Sequence, residues 1–118
     1  MNWDFSENNR DYEAQLYRLL SQIRKRPGMW LGTPSITRLF LFLHGYTYAV
    51  LEHEGYRLHF MTDFLDYIKR VYPSDLALNW DGLLLMGRTE EEALREFFRQ
   101  LDLFLETQAH EHRSEPFE

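Results

Sequence analysis

Apolar residues recur at three- and four-residue intervals in four segments of the chain, and this spacing predicts four amphipathic helices. The first helix is expected to begin between Asn8 and Asp11, whose short polar side chains can cap free backbone amides. The bases at residues 24–26 suit the negative end of its dipole, and Pro27 ends it. Its predicted buried face consists of Tyr12, Leu16, Leu19, Leu20 and Ile23.

The segment Arg24–Pro34 is expected to stop this helix, turn, and start the next one. Pro27-Gly28 fits the two central positions of a type II turn, in which the glycine takes a positive φ. Gly32 allows a tight bend, and Thr33 followed by Pro34 is typical of a helix start. The predicted structural motif is Pro27, Gly28, Met29, Trp30 and Gly32, with Met29, Trp30 and Leu31 packing inward.

The second helix, Pro34–Glu54, is apolar almost all round, which predicts a central position in the bundle. Gly45 in its middle costs about 1 kcal/mol against alanine, so a closely packed neighbouring helix is expected there. His44 is expected to be buried and hydrogen-bonded. The apolar stretch from residue 36 to 51 is shorter than the ~20 residues of a membrane span and contains a basic residue, so no membrane association is expected.

Two further helices are predicted, with ambiguous segments before each. Residues 56–60 alternate like a short strand, and Thr62 can cap a helix that ends at Tyr72-Pro73. Residues 83–86 fit either a short helix capped by Asn79 or a buried strand. The last helix starts with a capping box at Thr89 and Glu92. Its predicted buried face is Leu94, Phe97, Phe98, Leu101, Phe104 and Leu105.

These elements predict a mainly all-α fold, a compact bundle of four to five helices with at most a short β-hairpin or an isolated extended segment. At 118 residues the chain is expected to form a single domain, 1–118. Residues 1–8 are expected to be a loose arm and residues 110–118 a flexible tail.

Charge is distributed unevenly along the chain. Residues 1–88 hold ten acids and ten bases, so the nine acids and three bases of residues 89–118 account for the whole net charge of −6. This balance disfavours direct binding of nucleic acid, and it either suits a basic protein partner or simply keeps a small protein soluble. The absence of cysteine suits a reducing cytoplasm, and the polar first residues do not resemble a signal peptide, so a cytoplasmic location is expected.

No pattern of catalytic, cofactor-binding or metal-binding residues stands out. His53 and His59 are six positions apart and separated by Gly55, which does not suit two ligands on one helix. Asp63 and Asp66 can meet on one helix face, but exposed carboxylates of this kind are common. The glycines do not form a phosphate-binding loop or a dinucleotide fingerprint. The protein is therefore expected not to be an enzyme.

The spacing of the acids in the last helix predicts which of them have a partner within the helix. Residues 90–92 are explained by the helix dipole. Glu91 with Arg95 and Glu96 with Arg99 form intrahelical pairs. This scheme leaves unpaired Asp102, Glu106, Glu111, Glu115 and Glu118.

Arg24–Gly32 reads R-K-R-P-G-M-W-L-G and resembles the R-K-R-P-G-M-Y-I-G stretch near the start of the DNA gyrase B subunit. In that family the next helix carries a glutamate and an asparagine for ATP hydrolysis and magnesium binding. The corresponding residues here, Leu39–Ala49, contain neither, and the glycine-rich ATP-lid motifs are missing downstream. The resemblance therefore implies a shared turn and not ATPase activity.

A wider set of motifs spans roughly residues 15–106. It comprises Arg26–Gly32, Ser35-Ile36, His44–Tyr46, Phe64–Tyr67, Trp80, Glu91–Ala93, Phe97-Phe98 and Leu101–Phe104. This set resembles a group of small bacterial helical proteins that includes proposed immunity proteins of toxin/immunity systems. The resemblance implies a protein that binds and masks a cognate toxin domain, and the acidity suggests a basic, nuclease-type toxin.

The expected partner interface is the acidic last quarter of the chain, namely Glu96, Asp102, Glu106, Glu111 and Glu115. The alternative is a helical interaction or regulatory subunit without a toxin partner. Such a subunit would form a homodimer through exposed aromatics such as Tyr46, Tyr48 or Tyr67.

Overall fold

The computed structural model describes residues 12–114, and side chains of residues 12–110, as a bundle of six helices without a strand. The mainly all-α prediction is confirmed. The helices are α1 (Tyr12–Lys25), α2 (Pro27–Leu31), α3 (Ile36–Glu54), α4 (Phe60–Val71), α5 (Trp80–Leu85) and α6 (Glu90–Ser114). The predicted arm, residues 1–8, lies outside the described residues. Residues 110–114 of the predicted tail are helical, and its flexibility stays a prediction.

The centre of the core is an aromatic cluster around Trp80 of α5. The Trp80 ring is fully buried, and its centroid lies 5.0 Å from those of Phe40 and Phe97 and 5.6 Å from that of Phe64. These neighbours belong to α3, α6 and α4, so one side chain of a six-residue helix joins three longer helices. The predicted inward faces of α1 and α6 are confirmed, with only Leu19 and Leu105 partly buried.

Both ambiguous segments are resolved without a strand. Residues 80–85 form a helix, and the Asn79 side chain accepts a 2.7 Å hydrogen bond from the Trp80 amide. α4 begins at Phe60, two residues before the predicted cap at Thr62. The buried Phe60 ring stacks on Phe64 at 5.1 Å, which places the first turn of α4 in the core.

The turn after α1 differs from the prediction. Gly28 lies inside the short helix α2 and its φ is not positive, so the type II turn is wrong. The left-handed residue is Gly32, with φ 85°. Leu31 is buried and Trp30 packs edge-on against Phe42, but Met29 is 66% exposed and does not pack inward.

α3 begins later than predicted and is less buried. Its cap is Ser35, whose Oγ accepts from the Arg38 amide at 3.1 Å, and not Thr33. Only Ile36, Leu39 and Leu43 of this helix are fully buried. The prediction of a central helix is therefore wrong, because one face of α3 has no neighbour among residues 12–114.

That outer face carries apolar side chains. Leu41 and Tyr48 are each 62% exposed, and His44 is exposed as well, so the prediction of a buried histidine is wrong. A Cβ built on Gly45 would meet no atom within 4 Å, so the expected close packing of a neighbouring helix is not found. None of the helices in the described part is long and apolar enough to cross a membrane.

Candidate functional site

The first turn of α6 closes on itself as predicted. The Thr89 hydroxyl accepts from the Glu92 amide at 3.1 Å, and the Glu92 carboxylate accepts from the Thr89 amide at 2.9 Å. Glu91 pairs with Arg95 at 3.4 Å on the exposed side of the helix. The capping box and the Glu91–Arg95 pair are both confirmed.

Glu90 has a role that the helix dipole does not explain. Its carboxylate accepts hydrogen bonds from Ser35 Oγ (2.8 Å), the Thr37 amide (3.0 Å) and Thr37 Oγ1 (2.8 Å). It therefore caps the start of α3 from another helix. The Thr37 amide is the main reason why the pKa of Glu90 lies below its usual value, with the two hydroxyls adding to the effect.

Glu96 is held in a polar network between α6 and the end of α4. Its carboxylate accepts from Arg99 Nε (2.9 Å) and Nη2 (2.8 Å), from Gln100 Nε2 (2.8 Å) and from the Tyr72 hydroxyl. Tyr67 in turn donates to Gln100 Oε1 at 3.1 Å. The Arg99 guanidinium is the main cause that lowers the pKa of Glu96 to about 2. The side chain is only 11% exposed, so this predicted interface residue binds mainly within the molecule.

Asp102 was predicted to be unpaired, and this is wrong. Arg24 of α1 donates to both of its carboxylate oxygens, at 2.9 and 3.0 Å. The same guanidinium lies 5.3 Å from the centroid of the Phe98 ring. Sequence spacing missed this pair because the two residues are 78 positions apart and meet only through the packing of α1 against α6.

The acids of α6 available for a partner therefore begin after Asp102. Glu106 is exposed and makes no hydrogen bond or ion pair with another described residue. The side chain of Glu111 and all of Glu115 lie outside the described part, so their predicted interface roles stay predictions.

An open cleft of about 260 Å³ lies between α4 and α6, near this end of α6. Asp63 and Asp66, on one face of α4 as predicted, line it together with Tyr67, Arg70, Phe104, Thr107 and Gln108. We call this set the acidic cleft. Both aspartates are exposed, and neither forms an ion pair within the described range.

The acidic cleft combines charge with aromatic surface. Two carboxylates can accept hydrogen bonds from an ammonium or a guanidinium group. Such hydrogen bonds between charged groups are stronger than those between neutral groups. The partly buried Tyr67 ring offers apolar and π surface to the stem and the cation of a long basic side chain, whereas the Phe104 ring is buried. Arg70 also lines the cleft and repels an incoming cation, so the cation is favoured on the side of the two aspartates.

The two aspartates can be identified from the sequence, but the cleft cannot. Their three-residue spacing indicated a shared helix face, and nothing in it indicated that Phe104 and Thr107 lie opposite. The tyrosines predicted at a dimer interface are divided between surfaces. Tyr48 is exposed on α3, whereas Tyr46 and Tyr67 are partly buried.

The histidines do not form a metal centre in the part of the chain that the structure describes. α3 ends at Glu54, and Gly55, with φ 70°, takes the chain out of the helix before His59. No group of three or more His, Cys, Asp or Glu side chains in residues 12–110 is placed to hold a metal ion.

Comparison with known proteins adds no relative to this picture. No protein-family model matches the chain, and no curated protein or solved structure shows a significant similarity to it.

Proposed function

We propose that this protein is a bacterial immunity protein that binds a cognate toxin domain in the cytoplasm and blocks it by stoichiometric masking. The observation that carries the proposal is the acidic cleft, in which Asp63 and Asp66 stand beside aromatic rings without an ion-pair partner from residues 12–110. A basic toxin surface would supply the missing cations. The resemblance of the wider motif set to proposed immunity proteins supports the same conclusion.

The distribution of charge supports a localised contact. Five acids of α6, Glu90, Glu91, Glu92, Glu96 and Asp102, bind groups of this molecule. Among the described acids of α6 only Glu106 is left unpaired, and it lies on the same helix as the Phe104 and Thr107 side of the cleft that holds the unpaired Asp63 and Asp66. Complementary charge at such a surface speeds the encounter of two proteins and fixes their orientation.

The first test is copurification with the toxin domain encoded by the adjacent gene. We expect a one-to-one complex, and co-expression is expected to protect cells from the toxin. Absence of a complex, with the toxin still lethal in co-expression, would overturn the proposal.

The second test locates the interface. The double variant Asp63→Asn/Asp66→Asn should weaken the complex by roughly tenfold at low salt, with a smaller difference at high salt. The control Asp75→Asn/Glu91→Gln removes the same charge from a loop and from an exposed intrahelical pair. Equal weakening by both double variants would show that net charge acts instead of the cleft.

A further inference from the structure

Five residues form a stripe along the outer face of α3 that is nearly symmetric about Gly45. Arg38, Leu41, Gly45, Tyr48 and Glu52 follow one another at intervals of three, four, three and four, so they share one stripe of the helix. All five are exposed. A basic residue closes one end of the stripe and an acidic residue the other, each seven positions from Gly45.

Gly45 carries a cost that nothing in the described part of the chain offsets. Glycine inside a helix costs about 1 kcal/mol against alanine. A Cβ at this position would meet no atom within 4 Å, so no neighbour requires its absence. If a helix from another molecule packed closely here, it would require a residue without a side chain, which would explain the glycine.

We infer that two copies of this protein pair through α3, antiparallel, with the two-fold axis at Gly45. A symmetric pair brings each residue opposite the one at the same distance on the other side of the axis. Leu41, four residues before the axis, then lies beside Tyr48 of the second copy, three residues after it, because both side chains are on the same side of the stripe. The two most exposed apolar side chains of α3 are thereby covered, one on each side of the contact between the two glycines.

The same register joins opposite charges. Arg38 of each copy meets Glu52 of the other, about 21 Å from its own Glu52 along the helix. Glu52 makes no hydrogen bond or ion pair with another described residue. Arg38 uses Nη1 to reach the Leu31 carbonyl at 2.9 Å and keeps its other nitrogens for a partner. The surface shares no residue with the acidic cleft, so this inference goes beyond the proposed function.

The decisive experiment reverses one charge of the proposed Arg38–Glu52 ion pair in each of two variants and then mixes the variants. Sedimentation equilibrium of the full chain should show a monomer–dimer equilibrium. Arg38→Glu alone and Glu52→Arg alone each place like charges at both ends of the pair, so each should weaken the dimer roughly tenfold or more. An equimolar mixture of the two variants restores both ion pairs and should form a heterodimer at about the wild-type strength.

Two further variants separate association from folding. Gly45→Gln stabilises the helix within one molecule, so the temperature of thermal unfolding of the dilute protein should rise. The same side chain blocks the point where the two helices cross, so the dimer should be lost. Leu41→Gln should weaken the dimer severalfold, whereas Leu76→Gln, at an equally exposed site off α3, should leave it unchanged. A strict monomer at all concentrations, or a mixture that associates no better than its components, would overturn the inference.

Discussion

At the scale of single residues, Glu90 and Glu91 are neighbours with the same charge and very different surroundings. Glu90 accepts three hydrogen bonds from the start of α3, whereas Glu91 makes one exposed pair within its own helix. Glu90→Ala should therefore lower the free energy of unfolding by about 1–3 kcal/mol, because donors of the buried Ser35 and the partly buried Thr37 lose their acceptor.

The matched control for this change is Glu91→Ala. It removes the same charge from the same helix turn, so its effect on the helix dipole is the same. The free energy of unfolding should fall by no more than about 0.5 kcal/mol. Urea unfolding of the two variants measures the difference. Equal losses would contradict the role of Glu90 as a cap for α3.

Gly32 and Gly28 give a second comparison between neighbouring residues. Gly32 has φ 85°, and a Cβ there would lie 2.7 Å from Arg38 Nη1. Gly32→Ala should cost about 1–3 kcal/mol, since the backbone is strained for any other residue and the Arg38 side chain must move. Gly28→Ala, in a helical conformation with open space around it, should be neutral or stabilising by up to about 1 kcal/mol. Thermal melting that ranks these variants in the opposite order would contradict the backbone assignment.

At the scale of the elements, Glu96 links the end of α4 to α6. Its pKa is about 2 in the folded protein, against an ordinary value of 4.5. A lowered pKa means that folding favours the charged form, so this stabilisation is complete above about pH 4.5 and is lost as the pH falls towards 2. Glu90, whose pKa is also lowered, acts in the same direction, while the raised pKa of the partly buried Asp81 acts against it.

The protein is therefore expected to lose stability steadily between about pH 4.5 and pH 2. Glu96→Gln should cost about 1–3 kcal/mol near neutral pH, because charged hydrogen bonds with Arg99 and Tyr72 are lost. The same variant should flatten the pH dependence. Urea unfolding at a series of pH values measures both effects, and an unchanged slope for Glu96→Gln would contradict this assignment.

The long helices could be predicted from the sequence because the signals that specify them lie within each helix or next to it. The capping box at Thr89 and the apolar spacing of α1 and α6 need no knowledge of the rest of the fold. The start of α3 could not be predicted in this way. Thr33-Pro34 has suitable local chemistry, but Ser35 becomes the cap in a structure where Glu90 of α6 binds Ser35 and Thr37.

The candidate site shows the same division between local and distant information. The shared face of Asp63 and Asp66 follows from helical spacing, whereas the opposing Phe104 depends on the packing of α4 against α6. The pairing of Asp102 with Arg24 likewise depends on which helices lie side by side. Acids that look alike in the sequence thus divide into those used within the fold and those left at its surface.

At the scale of the whole molecule, the acidic cleft and the outer face of α3 are separate surfaces. One offers two carboxylates and the Tyr67 ring to a cation, and the other offers an apolar stripe with a charge at each end. Binding at one surface need not exclude binding at the other. A two-fold pair through α3 would carry two acidic clefts, so a complex with a basic partner would contain two copies of each protein.

The buried indole of Trp80 gives this molecule an internal optical reporter. The ring is enclosed by Phe40, Phe64 and Phe97, and its Nε1 has no hydrogen-bond partner among the described residues. An indole without polar contacts emits at shorter wavelength than one in water, so opening of the core shifts the emission to the red. With Trp3 and Trp30 replaced by phenylalanine, fluorescence would follow the junction of α3, α4 and α6 alone.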